Sequence, residues 1–400
     1  MNKRYIILMF FLLLVMVSFQ IPTASVSAAS ANYAKEAYSY SGKIIKSENK
    51  WLCGTQLDNG AFPEYKVKEG TVVCEPYYAS FVCLALLDGN DKYPSNAGRV
   101  KDYMDWYFSH MNTASEDVNG LDGTVYDYNE TVSGYTHVEK EEVDTVDGGL
   151  ATYDSTDSYA AEFLSVLWKY YSVTKDSAYI EQHKSEIGRI ADVILSTMDD
   201  GLTYATPSYK MKYLMDNCEV YGGLRDAAKL YSAALPGETA KLSAVISARD
   251  LVKVSVNNKM WTSKSKGHYW YAIDEEGTAE TFRWTKFYPD ATSQLFPITN
   301  GVISCKSSRA KHSYKYFNKY WSKGTAHHTW EKLRTTDENC WGDMLCASVM
   351  MRDTKRSAIY MKTYYKKYSK KHQYPLYNAD SAKILRAAYQ MRASLKGAVK

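Results

Sequence analysis

Residues 76–87 read Pro-Tyr-Tyr-Ala-Ser-Phe-Val-Cys-Leu-Ala-Leu-Leu, without one charged side chain. A helix that is apolar on every side has no face to give to water and must be surrounded by protein. Residues 158–168 repeat the pattern with Glu162 as their single charge, and residues 289–303 and 339–351 behave similarly. The segments after Asn217 and after Ala379 are more mixed. Between these stretches lie helices of another kind. Around residues 100–111 the apolar side chains Val100, Tyr103, Met104, Tyr107, Phe108 and Met111 follow the i, i+3, i+4, i+7 spacing, while Lys101, Asp102 and Asp105 fall on the opposite face. The same amphipathic pattern recurs near 32–48, 177–199, 238–259, 309–323 and 354–371. Wet, lysine-bearing helices alternating with dry ones predict an all-α architecture of about twelve antiparallel helices in two concentric layers.

Connection lengths agree with this arrangement. Links leaving a dry helix are short, as at Gly89 to Pro94 or Thr174 to Asp176, which suits antiparallel neighbours. Links leaving a wet helix run from roughly 15 to roughly 45 residues. In an up-and-down arrangement all long links share one end, the end where the dry helices begin. Long loops on a rigid scaffold are where binding and catalytic groups concentrate.

The whole chain has 400 residues, 45% hydrophobic, with 49 basic and 45 acidic residues and a formal charge of +4. That balance excludes a dedicated nucleic-acid binder and a disordered acidic protein. Lys3 and Arg4, an apolar run from Ile6 to Val17 and the small residues Val26-Ser27-Ala28-Ala29 have the layout of a secretory leader. Residues 1–29 are therefore expected to be a signal peptide and residues 30–400 a single domain, secreted to the medium or the cell envelope as a monomer without a membrane span. Seven cysteines without a CxxC pair argue against a thiolate zinc site, and a Cys53–Cys74 bridge is an open pairing. No metal or cofactor is expected. HEXXH, GxSxG and a phosphate-binding GxxxxGK[ST] are missing, and the Ser-x-x-Lys matches at Ser47 and Ser308 lie on lysine-rich outer helices. His327-His328 reads as surface histidine.

Paired helices of this kind resemble the (α/α)6 toroid of the six-hairpin glycosidase superfamily. The residues that carry the resemblance are Gly60-Ala61-Phe62-Pro63, Asp154-Ser155-Thr156-Asp157-Ser158-Tyr159-Ala160-Ala161, Met215-Asp216-Asn217-Cys218-Glu219-Val220-Tyr221 and Phe287-Tyr288-Pro289-Asp290-Ala291-Thr292-Ser293-Gln294-Leu295-Phe296-Pro297. The disposition of acids is most similar to glycoside hydrolase family 8, with an acid opening the second helix, here Glu75, and an acid-x-x-acid element opening the fourth, here Asp154 and Asp157. Glu75 is followed by Pro76-Tyr77 rather than a glycine-rich turn, a departure from that family. The resemblance implies a glycoside hydrolase with a carbohydrate substrate.

Glycosidic cleavage usually needs two carboxyl groups, one to protonate the leaving oxygen and one to act as base or nucleophile. Almost every inner helix offers an acid at its start: Glu75, Asp154 with Asp157, Asp216 with Glu219, Asp290, Glu338 and Asp380. Acids are also common there as caps, and Asp216-x-x-Glu219 has the shape of a capping box. Glu75 stands before Pro76 in an apolar run that would raise its pKa, as a general acid requires. Asp154 and Asp157 supply more capping oxygens than one helix start can use, and Asp157 is preferred as base or sugar ligand. The expected catalytic residues are Glu75, Asp157 and Asp290. Asp154, Asp216 and Glu219, with Tyr77, Tyr159, Trp284, Tyr288 and Trp341 as aromatic platforms, are the expected substrate contacts. A hairpin lid is expected between Asp122 and Asp147. Two other readings stay open: a polysaccharide lyase on the same toroid, with a Tyr or His base, and a glycan-binding envelope protein without catalysis.

Overall fold

The structure, a computed structural model, is described for residues 28–66, 68–134, 136–137, 141–146, 150–322, 341–372 and 376–396. Residues 1–27 of the expected leader, Glu338, Cys340, His327, His328 and the side chain of Trp341 lie outside the described part. The outer helices are α1 (Ala28–Cys53), α3 (Asn96–Ser109), the pair α5 (Ser177–Gln182) and α6 (Lys184–Ser196), α8 (Thr239–Lys259), α10 (Ser308–Trp321) and α12 (Thr354–Lys367). Alternating with them are the inner helices α2 (Pro76–Asp88), α4 (Thr156–Thr174), α7 (Leu214–Ala234), α9 (Phe296–Thr299), α11 (Trp341–Met350) and α13 (Asn378–Leu395). Contacts run α2 to α4, α4 to α7, α7 to α9, α9 to α11, α11 to α13 and α13 back to α2, which closes the inner ring. The architecture is the all-α (α/α)6 toroid that the dry and wet helices predicted.

The dry helices are dry for the expected reason. From Ala79 to Leu87 every side chain of α2 is buried, and the same holds for α4 from Thr156 to Leu167. Inner helices also approach closely: a Cβ on Gly223 of α7 would lie 2.4 Å from the carbonyl oxygen of Ala161 on α4, so only glycine fits that crossing. Two elements differ from the sequence reading. The third outer segment breaks at His183 into α5 and α6, with Asp176 capping α5 through the Tyr179 amide (3.1 Å). The fourth inner segment is no continuous helix but a wide turn, Phe287–Ala291, followed by the short α9. Pro297 is the physical cause, because it offers no N–H to the preceding turn and its ring crowds the carbonyl four residues back.

A polar clasp joins α1 to α12. The buried carboxylate of Glu48 accepts hydrogen bonds from Tyr364 Oη (2.7 Å), from Ser369 Oγ and from His372 Nε2 (2.7 Å). Cys53 and Cys74 are both free thiols, so the open pairing is not made. No helix among the described residues is long and apolar enough to cross a membrane.

At the loop-bearing end a small antiparallel sheet replaces the expected lid hairpin. Strand β1 (Glu69–Cys74) pairs along its length with β2 (Tyr128–Ser133), and β2 also pairs with β3 (Thr136–His137) and β4 (Glu142–Val143). The strand begins at Tyr128 rather than Val125, because Val125 and Tyr126 are buried side chains of the approach loop. Its register sets Cys74 opposite Tyr128, so the next residues outward, Glu75 and Asp127, meet where α2 begins.

Candidate active site

All six inner helices, or the turns that lead into them, contribute to one cavity of about 180 Å³ at this end of the ring. Its acidic wall is Glu75, Asp154, Asp216, Asp343 and Asp380, with Lys383 the one basic side chain on it among the described residues.

Glu75 occupies the position before α2 in extended backbone and makes no side-chain cap, so the capping explanation fails for it. It is half-buried, and its carboxyl is hydrogen-bonded to Glu64. Burial, then the charges of Asp127 and Glu64, hold its pKa well above the carboxylate range. Asp127 is itself pushed up to about 8, chiefly by burial, although the Tyr159 hydroxyl donates to it at 3.1 Å. Two carboxyls sharing a hydrogen bond need a proton between them, and the neighbouring acid keeps that proton bound.

Asp154 and Asp157 divide the labour differently from the expectation. Asp154 stands exposed on the cavity wall, and crowding by protein raises its carboxyl. Asp157 is fully buried and absent from the wall: it accepts the Thr203 hydroxyl at 2.5 Å and the Ser158 amide at 2.8 Å, with burial lifting it to about 7. The reason is rotational. Asp157 lies inside the first turn of α4 and faces outward, to the hairpin Met198–Asp199 and Leu202–Thr203. Asp216 lines the cavity and is raised well above its usual value by burial and by the charges of Asp157 and Asp154. The capping box did not form, because Tyr213 holds the N-cap and Asp216 and Glu219 both sit inside α7.

Asp290 is not on the wall. It is wholly buried, accepts the Arg283 amide at 2.6 Å and has Lys286 Nζ at 3.6 Å, which is a structural tie across the wide turn. Trp284 is 7% exposed and packed against Phe282, Tyr316 and Tyr320, so it belongs to the core instead of a platform. Tyr288, four residues on, is 41% exposed and lines the cavity. Tyr77 and Tyr159 line it too, stacked with centroids 5.6 Å apart, and Tyr77 Oη donates to Glu219 at 2.7 Å. Glu219 is thereby set below the wall, facing a second, deeper cavity of about 260 Å³ that shares Phe296, Asp343 and Lys383 with the first.

Sequence reasoning missed Glu64, Asp127, Asp343 and Lys383. Lys383 Nζ bonds Asp343 at 3.1 Å and lies 4.1 Å from the centre of the Phe81 ring. The signal for Asp343 and Lys383 was present in the helical spacing of the last two inner helices. For Asp127 it was the pairing of β1 with β2, and for Glu64 the bond from its amide to the Val73 carbonyl (2.9 Å), neither of which local patterns carry.

No protein-family model matches the chain, and no curated protein matches it in sequence. Solved structures do. One described as a wild-type glycosidase is similar with a TM-score of 0.60 and 10% identity, covering 89% of this chain and 98% of that one. A novel alpha-amylase from Clostridium perfringens gives 0.54 and 11%, over 87% and 97%. An unsaturated glucuronyl hydrolase specific for heparin gives 0.54 and 11%, over 92% and 98%. At such identities the likeness is one of fold: this chain shares the helical toroid of these solved structures.

Proposed function

We propose that the chain is a glycoside hydrolase, exported by its N-terminal leader, in which Glu75 protonates the leaving oxygen and Asp154 serves as the basic partner. The observation that carries this reading is Glu75: an uncapped acid at the head of an inner helix, on a cavity wall, kept protonated by burial and by Asp127 and Glu64. Asp154, the exposed acid of the set, is raised less strongly than Glu75 and Asp216, which leaves it the most readily ionised of the three. Asp216, beside it and strongly raised, is suited to donate a hydrogen bond to a sugar hydroxyl. Tyr288 offers an open ring face for the apolar side of a sugar.

A lyase would need a cation or amide to neutralise a uronate and a free Tyr or His base. Among the described residues no His, Arg, Asn or Gln lines the cavity, its lysine, Lys383, is bonded to Asp343, and Tyr77 and Tyr159 are bonded to Glu219 and Asp127. The test is release of reducing ends from a panel of glycans by wild type and by Asp154→Asn. Hydrolysis by wild type that falls at least roughly a hundredfold in the variant is expected. Products absorbing in the ultraviolet as unsaturated uronates, or equal activity in both proteins, would overturn the assignment.

A further inference from the structure

The second cavity lies toward the end of the ring where the inner helices finish, and no step of the hydrolase reading uses it. Beside Lys383, four cations line it: Lys169 of α4, Arg225 and Lys229 of α7 and Arg386 of α13. They are spent on only two carboxylates. Asp88, the last residue of α2, takes Lys169 Nζ on one oxygen (2.6 Å) and Arg386 Nε on the other (3.0 Å). Asp226 takes Lys229 Nζ (2.7 Å) and two nitrogens of Arg225 (both 3.1 Å). The two terminal nitrogens of Arg386 have no hydrogen-bond partner among the described residues, which leaves its fork free. An acid without a donor lines the same space. Glu162 is 6% exposed and lies within the fields of Arg386, Lys383 and Arg225, yet its carboxyl makes no hydrogen bond among the described residues. Its neighbour Glu219 likewise leaves Oε2 unpartnered. Cations near helix C-termini are ordinary partners of the dipole, but the dipole does not account for a free guanidinium and an unbonded carboxyl lining one cavity.

We propose that this cavity is a binding site for the hydrogen phosphate ion, held by Arg386, Lys169 and Lys229 and recognised by Glu162, and separate from the catalytic cavity. The fork of an arginine matches two oxygens of an oxyanion. Lys169 and Lys229 each give one of three N–H donors to a carboxylate and have others to offer. Any small oxyanion would meet those needs, and Glu162 is what selects among them. Sulfate presents only acceptor oxygens, which a buried carboxylate repels. A phosphate monoester, whose second ionisation lies near pH 6, is in the same position in alkaline solution. Inorganic phosphate keeps one O–H there. That group donates to the Glu162 carboxylate while the remaining oxygens accept from the three cations, so the unpaired groups on both sides of the cavity are satisfied by one ion.

The experiment is calorimetric titration of the full chain, at about pH 8, with inorganic phosphate, sulfate and glucose 6-phosphate. At that pH Glu162, which burial raises to about 7, is charged. Phosphate is expected to bind at a single site, at least roughly tenfold tighter than sulfate or the ester. Glu162→Gln keeps the size of the side chain and supplies an amide that can donate, so it should admit sulfate and bring the two ions to within about twofold of each other. Arg386→Met should weaken phosphate at least roughly tenfold. No binding of phosphate by wild type, sulfate or the ester bound as tightly as phosphate, or an unchanged preference in Glu162→Gln would overturn the proposal. The glutamine variant decides the matter alone if Arg386→Met, which leaves Asp88 with Lys169 only, does not fold. None of these outcomes depends on catalysis, so the site and the hydrolase reading stand or fall separately.

Discussion

Replacing Glu75 by Gln separates a proton donor from a helix cap. If the side chain capped α2, its loss would cost about 1 kcal/mol of stability and leave the chemistry alone. Its carboxyl makes no such cap, and in its charged form it is opposed by burial and by Asp127 and Glu64. A neutral amide of the same shape removes that opposition, so the denaturant midpoint is expected to stay or rise. The rate is expected to move the other way. General acid catalysis contributes on the order of a hundred- to ten-thousandfold, equivalent to about 3–5 kcal/mol of barrier. The assay compares kcat on the natural glycan with kcat on an activated aryl glycoside of the same sugar, whose phenolate departs without a proton. The glycan rate should fall by at least roughly a hundredfold and the aryl rate by far less. An unchanged glycan rate accompanied by a lost kilocalorie of stability would refute the reasoning, and so would equal losses on both substrates.

Other consequences can be measured independently. Burial pushes Asp127 up to about 8 and Asp157 and Glu162 up to about 7. Between an ordinary pKa near 4 and those values the folded chain holds protons that the unfolded chain has lost. Stability therefore falls as pH rises through that window, by roughly 1 kcal/mol per pH unit for each such group. Calorimetry should give a higher Tm at about pH 5 than at about pH 8, and a flat or rising Tm would contradict the assignment. Tyr288→Ala, which removes the exposed ring, should raise KM roughly three- to tenfold with kcat little changed; an unaltered KM would remove Tyr288 from the site. Gly223→Ala forces a methyl against the Ala161 backbone and should cost about 1–3 kcal/mol in urea unfolding, and a neutral result would mean that α4 and α7 can separate at no cost.

Much of this molecule was legible before any coordinates, and the reason differs from part to part. The inner ring could be read because burial on all sides erases charge, as in α2, and the outer ring because one wet face restores it. The functional end followed from the unequal links, and Glu75, Asp154, Asp216, Tyr77, Tyr159 and Tyr288 do meet around one cavity. What failed was direction within a turn. Asp154 and Asp157 are three residues apart, yet one faces the cavity and the other Thr203, a choice made by the neighbouring hairpin. Trp284 and Asp290 failed similarly, since the outer helix α10 and the Arg283 amide claim them. Of the acids that set the protonation of Glu75, Asp127 arrives through the pairing of β1 with β2, between segments far apart in the sequence, and Glu64 through its own amide, which bonds the Val73 carbonyl.

The clasp at Glu48 bears on the order in which the molecule assembles. Its partners Tyr364, Ser369 and His372 lie more than 300 residues along the chain from it. Joining ends that far apart costs only about 2–3 kcal/mol more than closing a loop of roughly twenty residues, because the entropy grows with the logarithm of length. Closure is therefore affordable but late, since local hairpins meet sooner than distant segments. Asp380 and Lys383 reach the cavity on α13, the helix that completes the circle between α11 and α2. A partly assembled chain thus has hairpins and acids but no enclosed cavity, and the capacity to bind a sugar should be gained in one step, with ring closure.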